Sequence, residues 1–201
     1  MKLHTAHRAL LPFVLLLSLA ASATTMLRAD LPELAQTSDA IVHGTVRRVE
    51  SRWSGDGRRI VTDVEIQVTE ALKGQAQVGQ AGGTVLVTQP GGRVGDIGQR
   101  VSGLAAFAPG EEVVVFLERR GKQAFRVSGM AQGKYQVQRT EGGKSAMAVP
   151  EPTGDVLLLD PDTRQPTASS LRSLSLTELK AAIRTALEQQ QPPVRAQEKR
   201  P

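Results

Sequence analysis

Arg47, Arg48 and Arg52 stand just before a Ser54-Gly55-Asp56-Gly57 turn, and Arg58 and Arg59 just after it. A hairpin closing there is expected to bring five guanidinium groups and the indole of Trp53 to one end of a sheet. The chemistry of such a patch is recognition: guanidinium forks match carboxylate or phosphate oxygens two at a time, and the indole adds a stacking face. A solvated hairpin end is the other reading. A second stretch, Pro90 to Arg100, holds glycine at a density that lets main chain approach main chain or ligand closely, with Asp96 and two arginines in reach. It either clasps an anion or a partner strand, or is a tight crossover whose glycines take positive φ. The candidate binding residues are therefore Arg52, Trp53, Arg58, Arg59, Gly91, Gly92, Arg93, Gly95, Asp96 and Arg100.

Bond-making chemistry is hard to assemble from the rest. His43 is the one histidine beyond His4 and His7, and a lone imidazole beside Gly44 in a strand-like segment reads as a hydrogen-bonded structural group rather than a base. Gly142-Gly143-Lys144-Ser145 looks like the end of a phosphate-binding loop, but Gln138 stands where that motif needs its first glycine. No Gly-x-Ser-x-Gly elbow occurs. Asp160-Pro161-Asp162 lacks the spaced ligands and turn glycine of a calcium loop, and reads as a strand end. No cofactor is expected. A hydrolase built on Asp63, Asp96 or Glu112 is the weakest alternative, because no paired base, nucleophile and oxyanion donor can be named.

These residues must be held by a scaffold, and the composition bounds what it can be. Residues 1–23 read as an export signal: Lys2 and Arg8 form a positive head, Ala9 to Ala21 is almost wholly apolar, and Ala21-Ser22-Ala23 supplies a cleavage site before Thr24. That apolar run is well short of the roughly 20 residues a membrane-spanning helix needs, so no anchor is expected in the mature chain. The expected location is the periplasm of a bacterial envelope or the extracellular space. Cysteine is absent, which removes disulfides, thiolate metal sites and thiol catalysis together. Of the 25 lysines and arginines two lie in the leader, so the remainder carries a surplus of only three over 20 acidic groups. Local clusters therefore matter more than the global field.

Ile60, Thr62, Val64, Ile66 and Val68 alternate with Val61, Asp63, Glu65, Gln67 and Thr69, the pattern of a half-buried antiparallel strand. Ile41 to Trp53 is its hairpin partner, and Thr84 to Gln89 a further strand. Val113 to Leu117 is a continuous apolar run, as in a strand covered on both faces. Ala124 to Ser128, Lys134 to Arg139, Ser145 to Val149 and Val156 to Leu159 follow as short strands between glycines and prolines. Leu31 to Asp39 is expected to be a short helix capped by Asp30, with Pro32 in its first turn. Ser175 and Glu178 form a capping-box pattern ahead of Leu176, Leu179, Ile183, Ala186 and Leu187 at helical spacing. The expected organisation is a β-barrel domain over residues 24–160, a polar linker over 161–174, a helix over 175–190 packed on the barrel, and a disordered tail over 191–201.

In order, Ser38-Asp39-Ala40-Ile41-Val42, Gly44-Thr45-Val46, Ser51-Arg52-Trp53, Thr62-Asp63-Val64, Glu70-Ala71-Leu72-Lys73-Gly74, Pro90-Gly91-Gly92, Gly110-Glu111-Glu112-Val113 and Ala131-Gln132-Gly133-Lys134 resemble a family of uncharacterised exported bacterial proteins. The resemblance implies no catalytic residues, although similar modules occur beside metallopeptidase domains. A short helix, a long hairpin and a Leu-Lys-Gly turn also resemble the netrin-like OB barrel of the tissue inhibitors of metalloproteinases. Those inhibitors hold zinc through an N-terminal Cys, a residue type this chain lacks. The fold class expected is mainly β, an OB-like antiparallel barrel with a short N-terminal helix and a C-terminal amphipathic helix. The function expected is a non-enzymatic binding module whose partner is a protein or an anionic envelope component. An inhibitor or accessory module of a secreted metalloprotease is the alternative, and with six aromatics in the chain nucleic acid is not expected.

Overall fold

A computed structural model describes residues 24–78, 81–121, 124–140, 142, 143 and 145–190. The leader read over 1–23, the tail read over 191–201 and Lys144 lie outside them. Strand β1 (Thr24–Leu27) leads to helix α1 (Leu31–Thr37), where Asp30 Oδ1 accepts from the Glu33 amide at 2.8 Å and Pro32 occupies the first turn. Lys73 closes the other end of α1, its Nζ donating to the carbonyls of Ala35 and Gln36 at 2.9 and 2.8 Å.

Strands β2 (Ala40–Trp53) and β3 (Ile60–Lys73) form the long hairpin. Its turn is tied by Asp56 Oδ1, which accepts from Ser54 Oγ and the Arg58 amide. The alternation of β3 is realised: Ile60, Thr62, Val64, Ile66 and Val68 are buried, and Val61, Asp63, Glu65 and Gln67 face outward half-exposed. A short helix α2 (Gln75–Val78) leads to β4 (Thr84–Pro90), antiparallel to β3. The glycine-rich stretch folds into a small hairpin, β5 (Gly92–Val94) and β6 (Ile97–Gln99), where the sequence suggested only a loop. Three-residue strands set off by glycine carry too little side-chain pattern to be read locally.

Strand β7 (Glu112–Arg120) pairs with β2 on one edge, and β8 (Ala124–Val127) folds back on the C-terminal part of β7. One parallel pairing, Val87 with Phe125, joins β8 to β4. The order β2-β3-β4-β8-β7-β2 is therefore closed, a five-stranded barrel of the OB type. Strand β9 (Lys134–Arg139) continues from the N-terminal part of β7, followed outward by β10 (Ala146–Pro150) and later β12 (Leu174–Ser175). Strand β11 (Val156–Leu159) pairs in parallel with β1.

The apolar run in β7 is explained by its two covered faces. Val113, Val115 and Leu117 enter the barrel core with Val42, Val64, Ile66, Val85 and Val87. Val114 and Phe116 instead join Ile41, Tyr135, Val137 and Ala148 beneath α1 and helix α3 (Leu176–Gln190). Helix α3 buries Leu176, Leu179, Ile183 and Ala186 in that second core. Its capping box is reciprocal: the Ser175 amide donates to Glu178 Oε2 at 2.9 Å, and the Glu178 amide to Ser175 Oγ at 3.1 Å.

Candidate functional site

Barrel closure brings together arginines that the sequence keeps far apart. On the outward faces of β2, β3, β4 and β8 lies an open groove of about 710 Å³, walled by Arg52, Arg59, Arg120 and Arg126 over a floor that includes Val61, Thr88 and Pro90. The β2–β3 turn borders one side and the β7–β8 turn the other, the two loops that flank the binding face of OB barrels. Arg52 Nε donates to Asp63 Oδ2 at 2.6 Å, and Asp63 Oδ1 accepts from Thr88 Oγ1 at 2.6 Å. Arg126 Nε donates to Glu118 Oε2 at 2.7 Å. Two carboxylates thus hold two of the arginines upright. Among the described residues Arg59 and Arg120 form no ion pair, Asp56 of the turn acting on Arg59 only from a distance, so the groove keeps a positive surplus.

The residues singled out in the sequence divide between this groove and its surroundings. Arg52 and Arg59 line it, while Trp53 is 41% exposed at the end of β2 and Arg58 lies exposed in the turn. Arg47 and Arg48 are not at the hairpin end: a strand rises about 3.3 Å per residue, which sets Arg47 roughly 16 Å from Arg52. Arg48 pairs instead with Glu50 and, at 3.6 Å, with Glu65. The glycine loop is packed against the hairpin from the side. The Gly91 amide donates to Ile60 O at 2.8 Å and Gly91 O accepts from Thr62 Oγ1 at 2.7 Å. A Cβ on Gly92, at φ +128°, would meet Ser51 Oγ at 2.2 Å and Thr62 Oγ1 at 2.4 Å. Arg93 turns its Nε to the Gly95 carbonyl at 3.0 Å, Gly95 and Asp96 are exposed at the hairpin tip, and Arg100 faces Asp155 at 3.7 Å. Of the loop, only Pro90 reaches the groove.

Arg120 and Arg126 were not singled out in the sequence. Their signal is the alternation Glu118, Arg120 and Ala124, Arg126 across a tight β7–β8 hairpin, which marks an outward face but not its neighbour. The neighbour is set by the parallel contact of β8 with β4, a pairing without local sequence signature.

A second polar cluster joins α3 to the barrel. His43 is 4% exposed; its Nε2 lies 2.7 Å from Glu112 Oε1 and its Nδ1 3.1 Å from Lys180 Nζ. Lys180 also donates to Glu70 Oε2 at 2.6 Å, and Arg139 grips Glu112 through Nε and a terminal nitrogen at 2.7 and 2.6 Å. Burial lowers the His43 pKa below the ordinary imidazole value, against the opposing pull of Glu112. Both ring nitrogens are committed within the fold, which leaves neither to a substrate. Asp63 and Glu112 are engaged by their own partners, and Asp96 stands apart at the hairpin tip, so these three acids form no common centre. Among the described residues no group of three His, Asp or Glu side chains is placed to hold a metal ion. Among the same residues no helix is long and apolar enough to cross a membrane.

No family model matches the chain. No curated protein matches it either.

Proposed function

We propose that the protein is an exported, non-enzymatic binding module that holds an anionic partner, a protein or an envelope polyanion, in the groove between the β2–β3 and β7–β8 turns. The observation that carries this reading is the convergence of Arg52, Arg59, Arg120 and Arg126 on one concave surface, where Asp63 and Glu118 pair with two of them and Asp56 lies near a third. Arginine suits the task because its planar fork binds carboxylate or phosphate oxygens in pairs and never loses its charge. Rigid strands carry three of the four side chains, so little ordering is required when a ligand arrives. The commitment of both His43 nitrogens to the fold supports binding over turnover.

Titration of the purified protein with sodium polyphosphate and with polyglutamate tests the reading. The expected result is binding that weakens with salt, and a loss of at least about tenfold in an Arg59→Glu/Arg120→Glu variant. Absence of binding to both polyanions, or equal affinity in the variant, overturns it.

A further inference from the structure

Beside the arginine groove the barrel has a seam that does not close. Strands β4 and β8 share a single register pair, Val87 with Phe125, and diverge beyond it. The space between them is a cleft of about 290 Å³, walled by Gln89 and Pro90 on β4 and by Arg126 and Val127 on β8. Val101, Leu104 and Met130 add apolar wall, and Gly129 and Glu118, its carboxylate paired with Arg126, complete the lining. The cleft shares Gln89, Pro90 and Arg126 with the groove, so the two are continuous. At the shared wall the Gln89 Nε2 donates to Ala105 O at 2.9 Å, while among the described residues nothing donates to its buried Oε1. A buried amide oxygen without a donor is costly.

Resting on the reading of the groove as an anion site, we infer that the ligand is an acidic segment of polypeptide carrying one apolar anchor residue. The arginines take its carboxylates and the cleft takes the anchor. Two features select a peptide over other anions. The cleft lies at the lower bound of ligand-sized pockets, about 300 Å³, which suits one side chain. Strand β4 beyond Val87 has no strand partner on its β8 side, and an extended peptide is the ligand that uses such an edge.

The test is fluorescence-anisotropy titration of the purified protein with two labelled pentapeptides, one with leucine between two pairs of glutamates and one with serine in its place. Sodium polyphosphate and phosphatidylglycerol vesicles serve as anions without a peptide. The leucine peptide is expected to bind about tenfold more tightly than the serine peptide, the effect of burying one aliphatic side chain. In a Val101→Trp variant, which fills the cleft, the ratio of the two affinities should fall to about one. Equal affinities in the unaltered protein, with binding still lost in Arg59→Glu/Arg120→Glu, overturn the anchor and leave the anionic groove standing. Preference for the vesicles over both peptides also overturns it. Failure to bind peptides and polyphosphate alike overturns both readings.

Discussion

Lys180 on α3 and His43 on β2 are joined by a hydrogen bond of 3.1 Å whose direction is fixed by chemistry. An ammonium group only donates, so Nδ1 of His43 must present its lone pair, and the ring proton resides on Nε2, 2.7 Å from Glu112 Oε1. The C-terminal helix is thereby held to the barrel through a neutral imidazole in one defined tautomer.

Acidification should loosen that attachment. Burial keeps the folded His43 below the ordinary value of 6.5, so only the unfolded chain takes up a proton near that pH. The stability contribution is full above pH 6.5 and falls as pH drops below it. Glu70, held low chiefly by Lys180, and Glu112, held low chiefly by Arg139, lose their contributions only as pH falls below their ordinary 4.5. Between about pH 6.5 and 4.5 the change belongs to His43, since a protonated ring would face the Lys180 ammonium. Urea midpoints measured from pH 7.5 to 5 should decline in the native chain and stay flatter in His43→Gln, with amide exchange in α3 rising in parallel. An identical pH profile in both proteins contradicts the assignment.

Lys134 should be among the most sensitive positions in the molecule. Its side chain is 2% exposed, and Nζ meets Glu111 Oε1 at 2.7 Å, Glu151 Oε2 at 2.9 Å and the Ala106 carbonyl. The Phe107 ring lies 4.9 Å away. Lys134→Met would leave two half-enclosed carboxylates facing each other and is expected to cost about 3–5 kcal/mol in urea unfolding. Adding Glu111→Gln and Glu151→Gln to that variant should recover part of the loss. A Lys134→Met protein as stable as its parent contradicts the buried-pair account.

Two glycines of the 90–100 stretch differ both in backbone conformation and in the room around them. At Gly92 an added Cβ meets Ser51 Oγ at 2.2 Å, whereas at Gly95, φ +58°, it meets nothing within 4 Å. Gly95→Ala should cost about 1 kcal/mol for the left-handed backbone alone, and Gly92→Ala clearly more, because φ +128° is all but closed to a residue with a Cβ and β2 and β3 must also shift. Thermal midpoints of the two variants decide. Equal losses would remove the packing role of Gly92.

The elements written in local pattern were legible in the sequence. The alternation from Ile60 to Val68, the two-sided burial of Val113 to Leu117, the Asp30 cap and the Ser175–Glu178 box each follow from neighbours within a few residues. What eluded the sequence depends on partners distant in the chain. Thr24–Leu27 is a strand only because Val156–Leu159 lies beside it, and the parallel Val87–Phe125 contact that closes the barrel has no short-range signature. The candidate site divides the same way. Arg52 and Arg59 were visible as hairpin residues, but Arg120 and Arg126 became their neighbours only through closure. Arg47 and Arg48 are near Arg52 and Arg59 in sequence but stand further along β2, away from the hairpin end that the sequence alone suggests for all five.

The most direct test of the groove is the side-chain ¹⁵N spectrum of arginine Nε–H groups recorded while polyglutamate is added. Arg59 and Arg120 are expected to shift first, with Arg52 and Arg126 following as Asp63 and Glu118 are displaced, while Arg93 and Arg100 on the glycine loop stay in place. Shifts confined to Arg93 and Arg100, or no shift at any arginine, contradict the groove as the binding site.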